Sequence, residues 1–353
     1  MGLLNCDLLV IGAGPAGSSA ALAASERKIK VLLIDRKREI GRPIQCGEWV
    51  PKLLLREIGL SARSVIQEVG LMRTVLPSGE WVDLPSPGYT IDRAIFDQEL
   101  AYQASARGAM VMTFTRAIKR LEEGVLVYQN GRSLFIKAKV IVGADGPRST
   151  TGSWLGQVNQ NFVLGLQFQV PLRRPLGLAK VYFHQEIEGG YGWVFPKGEV
   201  ANVGVGLWLG SKRKAVPALN WLLERLAEKG EILRGPILNR MAGLIPVGGP
   251  LDITCIGNIM LAGDAAGQAD PVTGGGIPQA VTCGRIAGEV AAETVLEGNP
   301  DLLGKYEERW RDLWGWALDK ARQKREYLDS HWHNGNFEET IKKSWIAFNG
   351  YGG

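Results

Sequence analysis

The sequence predicts an α/β protein: a dinucleotide-binding domain assembled from separated stretches of chain, an antiparallel sheet inserted into it, and a C-terminal helical tail. Three observations predict this. Gly12, Gly14 and Gly17 form G-x-G-x-x-G within CDLLVIGAGPAGSSAALAA, and Asp35 closes the next apolar run, VLLID. From about Phe162 the pattern changes to period-two alternation, in FVLGLQFQV, AKVYFH, YGWVF and VANVGVGLWL. It reverts to strand-then-helix at GNIMLAGDAAG.

The elements follow in order. Asp7 to Ile11 reads as a buried strand and Ser18 onward as a helix. In this Rossmann-like unit Gly12 permits the tight turn, Gly14 lets a pyrophosphate approach the backbone, and Gly17 lets helix and strand pack closely. The helix start offers free N–H groups to an anion. Asp35 can accept from both hydroxyls of an adenosine ribose and would repel a 2′-phosphate, which disfavours NADP at this site. Ala16 and Arg36, beside these residues, are counted with them, as are Cys46 and Gly47 in the loop IGRPIQCGEWV. Residues 51–70 read as an amphipathic helix, and 71–89 as short strands between Pro and Gly turns. IDRAIFDQELAYQASARG returns as a helix with Asp92 as candidate N-cap. VMTFTRAIKRLEE, GVLVYQN and KAKVIVG read as strands, and PALNWLLERLAEKG as an amphipathic helix. A helix spans about Pro278 to Leu296, and the tail from Pro300 is helical.

The 353 residues are 45% hydrophobic and 22% charged, an ordinary globular balance with room for two large cores. The net charge of +5 is spread out, with denser groups at Arg36–Arg38, Lys212–Lys214 and Lys320–Arg325, and no nucleic-acid motif accompanies it. Cys6, Cys46, Cys255 and Cys283 fit neither a zinc spacing nor a disulfide framework, which points to a reducing, cytoplasmic setting. His184, His331 and His333 lack metal spacing, so no metal is assigned. No leader or membrane-spanning pattern stands out.

Two later motifs turn a dinucleotide into a flavin. VIVGADGPRST carries Gly143, Asp145 and Gly146, and IMLAGDAAGQADPVTGGGI carries Gly263, Asp264, Gly274, Gly275, Gly276 and Ile277. A carboxylate after a strand suits a ribityl hydroxyl, and glycine N–H groups at a helix start suit negative charge on a reduced flavin. With these three motifs in order, the chain resembles FAD enzymes of the glutathione-reductase and p-hydroxybenzoate-hydroxylase fold. That resemblance implies that Arg93 approaches the flavin's phosphate–ribityl region and that the backbone of Ala117 meets adenine.

QCGEWV, GGYGWVFPK and GDAAGQADPVTGGGI together are similar to the geranylgeranyl reductase family. The resemblance runs from Cys6 to about Leu296, and the tail is shorter than is typical of members. It implies an FAD-dependent reductase of isolated isoprenoid double bonds in a lipid, quinone or pigment precursor. Hydride goes to one alkene carbon and a proton to the other, with electrons from NAD(P)H or a ferredoxin-type donor. It also implies that Tyr191 and Trp193, by themselves readable as sheet core, line the active site, and that Cys46 lies near the flavin. The rival reading on this fold is a flavin monooxygenase or halogenase. Lys52, which no Gly-Gly precedes, does not match the lysine a halogenase needs.

The expected division is an FAD-binding domain of residues 1–72, 90–161 and 243–299, a substrate domain of 73–89 and 162–242, and a helical region of 300–353. A polyprenyl substrate implies peripheral membrane contact. The tail tryptophans read first as packed core; the alternative is an interfacial surface in which the basic group Lys320, Arg322, Lys324 and Arg325 lies beside Trp310, Trp314 and Trp316.

Overall fold

The alternation of the first strand decides how the cofactor half is built. In a computed structural model, which describes residues 2–58, 62–333 and 336–348, Leu8 and Val10 face one core while Leu9 and Ile11 face another. A strand buried on both faces reads as a continuous apolar run, as this one does. Along the chain the elements are β1 (Gly2–Ile11), α1 (Pro15–Glu26), β2 (Val31–Ile34), β3 (Trp49–Pro51), α2 (Lys52–Glu57), β4 (Val65–Val75), β5 (Trp81–Ile91), α3 (Arg93–Ala106), β6 (Met110–Met112), β7 (Thr115–Leu121), β8 (Gly124–Gln129), β9 (Arg132–Gly143) and α4 (Thr150–Trp154). There follow β10 (Phe162–Pro171), β11 (Ala179–Tyr182), β12 (Gly192–Lys197), β13 (Val200–Trp208), α5 (Ala215–Glu228), β14 (Asn239–Pro246), β15 (Cys255–Ile256), β16 (Ile259–Leu261), α6 (Ile277–Glu297), α7 (Lys305–Trp310), α8 (Trp316–His331) and α9 (Phe337–Ser344).

The chain divides into two units, each made of three segments. The first comprises Met1–Arg42, Ala94–Gln160 and Gly248–Lys320. Its sheet has the order β15-β16-β9-β1-β2-β6, and β8 and β7 pair on from β9. The pairs β6–β2–β1–β9–β16 are parallel. Helices α1 and α6 pack on each other through small residues. A Cβ at Gly284 would lie 2.1 Å from Ala16 O, and one at Gly288 2.1 Å from Ala20 O, so no larger residue fits. The tail completes this core: Tyr306 and Trp310 are fully buried, and the Trp310 indole donates to Thr254 Oγ1 at 2.9 Å.

The second unit comprises Pro43–Arg93, Asn161–Val247 and Ala321–Gly353. Its sheet has the order β14-β10-β13-β12-β11-β4-β5-β3, antiparallel except at β11–β4. One face packs on α5, with Val194, Val203 and Val205 against Leu219, Leu222 and Leu226. The other face carries the residues discussed below.

The structure differs from the sequence reading in three places. The helix expected over 51–70 ends at Glu57, and residues 65–70 belong to β4, because the β-branched Val65, Ile66 and Val69 extend along β5. The first crossing between units accordingly falls after Arg42, where the sequence reading placed it at residue 72. The strands of 71–89 are not short: β4 and β5 have 11 residues each, and Pro85 and Pro87 sit in β5 where the register shifts opposite Val69 and Leu71. Finally, the alternative basic and aromatic surface of the tail loses several of its members, while two of the tail tryptophans keep to the core reading. Trp310 is core, Trp314 donates to Thr282 Oγ1 at 2.8 Å, and Arg325 is 3% exposed with Nε on Asp329 Oδ2 at 2.9 Å. Trp316, 71% exposed with the Lys320 ammonium 4.8 Å from its ring centroid, remains at the surface.

Candidate functional site

In the first unit the three glycine motifs converge. A Cβ on Gly12, whose φ is 104°, would lie 2.3 Å from Ala144 O, and one on Gly17 would lie 1.7 Å from Gly12 O. Gly263 also comes close to the first motif, where an added Cβ would meet that of Ala16 at 2.9 Å. Asn159 joins the second motif to the third, donating from Nδ2 to Pro147 O at 3.1 Å and to Asp264 O at 2.8 Å.

By contrast, a Cβ at Gly14 or at Gly146 would meet nothing within 4 Å. Gly14 is the N-cap of α1 and Gly276 that of α6, and neither helix start has a side-chain cap. Two helix N-termini without side-chain caps, that of α1 approached through the open Gly14, fit a phosphate-bearing cofactor. The Asp35 carboxylate is held in place, Oδ2 accepting from Ala13 N at 2.8 Å and Oδ1 from Lys37 N at 2.7 Å. Arg36 follows it at the surface. Asp264 lies by the start of α6, with Oδ1 3.4 Å from where a Cβ on Gly276 would be.

Other expected cofactor residues have structural duties too. The carboxylate of Asp145 organises the start of α4, accepting from Ser149 Oγ, Thr150 N and Thr151 N at 2.5, 2.8 and 3.0 Å. The side chain of Ala16 is buried toward Gly263 and α6. Ala117 is buried on β7 opposite Val127. The sequence reading missed Asp270 and Gln268. Asp270 Oδ1 accepts from Val272 N and Thr273 N, which shapes the loop leading to Gly274, Gly275, Gly276 and Ile277, and Gln268 Oε1 accepts from Gly263 N. Both lie inside a motif already singled out.

The remaining expected site residues belong to the second unit. Cys46 and Gly47, with Trp193, line a cavity that encloses about 310 Å³ including its open mouth. Gln45, Gly165, Gln167, Met241, Ala242, Gly243 and Ile245 complete its wall, and none of these lining residues is formally charged. Glycine makes the wall possible: Gly165 pairs with Gly206 on one side and Gly243 on the other. A Cβ at Gly204 would lie 2.3 Å from the Trp193 ring. Tyr191 continues the same face of β12, its ring 6.0 Å from that of Trp193 and 5.0 Å from that of Trp345. Arg93 opens α3, and its N–H donates to Glu48 Oε1 at 3.0 Å.

Gln167 was also missed, and it holds this wall together. It is buried, accepts from Trp193 Nε1 at 2.9 Å, and donates to Cys46 O at 2.8 Å. A polar residue at an inward position of an alternating strand was the available signal, since a buried amide requires partners. Three of the thiols are suppressed by burial, and Cys46 lines the cavity. Burial pushes Cys6 up to about 12, Cys255 to about 11 and Cys283 to about 12. Iodoacetamide at about pH 8 is therefore expected to label Cys46 alone in the native protein, as read by peptide mass mapping. Native-state labelling of Cys283 would refute this.

Comparison with known proteins places these features. The geranylgeranyl reductase catalytic domain profile matches residues 174–245, and that of an NAD(P)-binding Rossmann-like domain matches 10–47. A digeranylgeranylglycerophospholipid reductase of Methanothrix thermoacetophila is 36% identical over 354 aligned positions, covering 92% of this chain and 88% of that one. A reductase of the same name from Methanopyrus kandleri is 37% identical, covering 92% and 91%. Among solved structures, a geranylgeranyl bacteriochlorophyll reductase-like protein from Thermoplasma acidophilum superposes with a TM-score of 0.87 at 27% identity, covering 99% of this chain and 92% of that one. A flavin-dependent brominase superposes at 0.75 with 19% identity, covering 98% and 95%, which is a likeness of fold.

Proposed function

The chain belongs to the geranylgeranyl reductase family, and from that premise we propose that it is an FAD-dependent reductase of isolated carbon–carbon double bonds in the isoprenoid chain of a lipid, quinone or pigment precursor. The observation that carries the substrate class is the cavity wall: an indole, glycines, Met241 and Ile245, with no formal charge among the lining residues. Such a wall accepts a slender apolar chain and offers nothing to a charged substrate. FAD, when bound, supplies the hydride equivalent. The chain's own residues bind and orient. Asp35 would accept from the adenosine ribose, the α1 start would receive the pyrophosphate, and Asp264 would accept from a ribityl hydroxyl beside the α6 start. Trp193 and Gln167 fix the wall, and Cys46 is the lining residue with a dissociable proton. A halogenase reading finds no lysine in the required role, because the Lys52 ammonium is paired with Glu68 Oε1 at 2.5 Å.

The purified protein is expected to release FAD on heating, and Asp264→Ala to weaken FAD binding by about 1.5–3 kcal/mol, the scale of a hydrogen bond to a charged group. Dithionite-reduced holoenzyme should add hydrogen across double bonds of a geranylgeranyl lipid, read by mass spectrometry. A flavin-loaded protein that leaves such chains unreduced would sink the substrate assignment.

A nearly insoluble substrate requires contact with a membrane, and no described helix is long and apolar enough to cross one. We place peripheral contact at Leu313 and Trp316, 56% and 71% exposed, with Lys320 over the Trp316 ring. A cation near an anionic surface contributes about 1 kcal/mol. Salt-sensitive sedimentation with anionic vesicles is expected, reduced in Lys320→Glu. Equal recovery on neutral and anionic vesicles at low salt would remove this contact.

A further inference from the structure

The segment from Gln45 to Glu48 is pinned at every residue. Gln45 Nε2 donates to Ala242 O at 3.1 Å, Gln167 Nε2 to Cys46 O at 2.8 Å, Asn202 Nδ2 to Gly47 O at 3.2 Å, and Ile91 N to Glu48 O at 2.9 Å. Glu48 is the unusual member. Its φ is 67°, a left-handed backbone uncommon for any residue but glycine, and it is 1% exposed. Three donors share its carboxylate: Lys197 Nζ and Asn202 Nδ2 on Oε2 at 2.7 and 2.8 Å, and Arg93 N on Oε1 at 3.0 Å. Its own N–H turns back onto Cys46 Sγ, at 3.2 Å. Glu48 is not among the residues lining the cavity.

We propose that Glu48 is the positioning residue that sets the Cys46 sulfur in the cavity wall. The left-handed turn aims the Glu48 N–H at Sγ, and the buried carboxylate holds the turn. Relaxing the backbone to an ordinary region would draw the carboxylate away from Lys197, Asn202 and the Arg93 N–H, and would strand charge in the interior. Glycine would adopt this φ without strain. A glutamate at 48 therefore reflects the clamp and not the turn alone.

The test uses holoenzyme, measuring iodoacetamide alkylation of each thiol by mass spectrometry together with FAD content and melting temperature. Glu48→Gly can still adopt the turn but has no carboxylate to hold it there; Glu48→Gln keeps the size and loses the ion pair. Both are expected to change the Cys46 rate, Glu48→Gly more than Glu48→Gln, since a thiol's reactivity follows its local environment. Lys197→Arg, which preserves the charge, should stay near the parent rate. Cys6, Cys255 and Cys283 should be unaffected in every variant. If Glu48→Gly fails to fold, Glu48→Gln decides. An unchanged Cys46 rate in Glu48→Gln, or a rise shared by all four thiols, overturns the proposal. Thiol labelling does not depend on which substrate is reduced, so this outcome and that of the reductase assay are read separately.

Discussion

Gly204→Ala is expected to lower turnover at least about a hundredfold while FAD stays bound, because a misplaced site group costs on that scale. The added Cβ would lie 2.3 Å from Trp193 Cζ2 and 2.5 Å from Gln167 Cβ, closer than side chains approach. Neither neighbour can yield cheaply. Both are buried, and they are joined by the Trp193 Nε1 to Gln167 Oε1 hydrogen bond. Moving Gln167 also releases Cys46 O. The overpacking itself costs about 1–3 kcal/mol. The check is turnover with a geranylgeranyl lipid beside the flavin absorbance of the same preparation. Wild-type turnover in Gly204→Ala would show that Trp193 need not lie flat on the sheet.

Gly17→Ala should have the other large effect, on folding and on FAD together. Its Cβ would lie 1.7 Å from Gly12 O and 3.2 Å from the Ala144 Cβ, both in the packed junction of the first two motifs. We expect a loss of about 3 kcal/mol, the upper end for overpacking, and no measurable FAD binding. Gly14→Ala is the contrast, since a Cβ there meets nothing within 4 Å. It should melt like the parent without FAD, yet bind FAD more weakly because the methyl group occupies the approach to the backbone. Thermal melts of FAD-free protein and FAD titrations separate the two. Equal melting temperatures for the two variants would refute the packing argument.

How much was legible follows from how local each signal is. Gly12, Gly14, Gly17 and Asp35 sit within one βαβ stretch of about thirty residues, and the strand, turn, helix and second strand expected there are the ones that form. The period-two stretches likewise became β10 to β13, because alternation reports directly on a half-buried sheet. The misreading of 51–70 arose where a helical apolar spacing overlapped with β-branched Val65, Ile66 and Val69, and a partner strand settled the matter. Gln167, Glu48, Lys197 and Asn202 were illegible as a group, since their contacts join residues up to 155 positions apart. The tail shows the same limit. Trp310 and Trp316 look alike in sequence, and helical phase, including a π-helical segment at Arg311–Gly315, puts one in the core and the other in solvent.

Each unit draws on three separated segments, and that has a consequence for synthesis on the ribosome. The core of the first unit is closed by Tyr306 and Trp310, and in the second the Trp345 indole reaches Thr74 Oγ1 at 2.8 Å. The nascent chain therefore emerges with two uncovered cores, the first closed only once Trp310 has been made and the second only once Trp345 has. Long-range closure of this kind is slow and leaves apolar surface open meanwhile. Nascent chains of this protein should depend heavily on chaperones, and chains released before Tyr306 should be cleared by proteolysis.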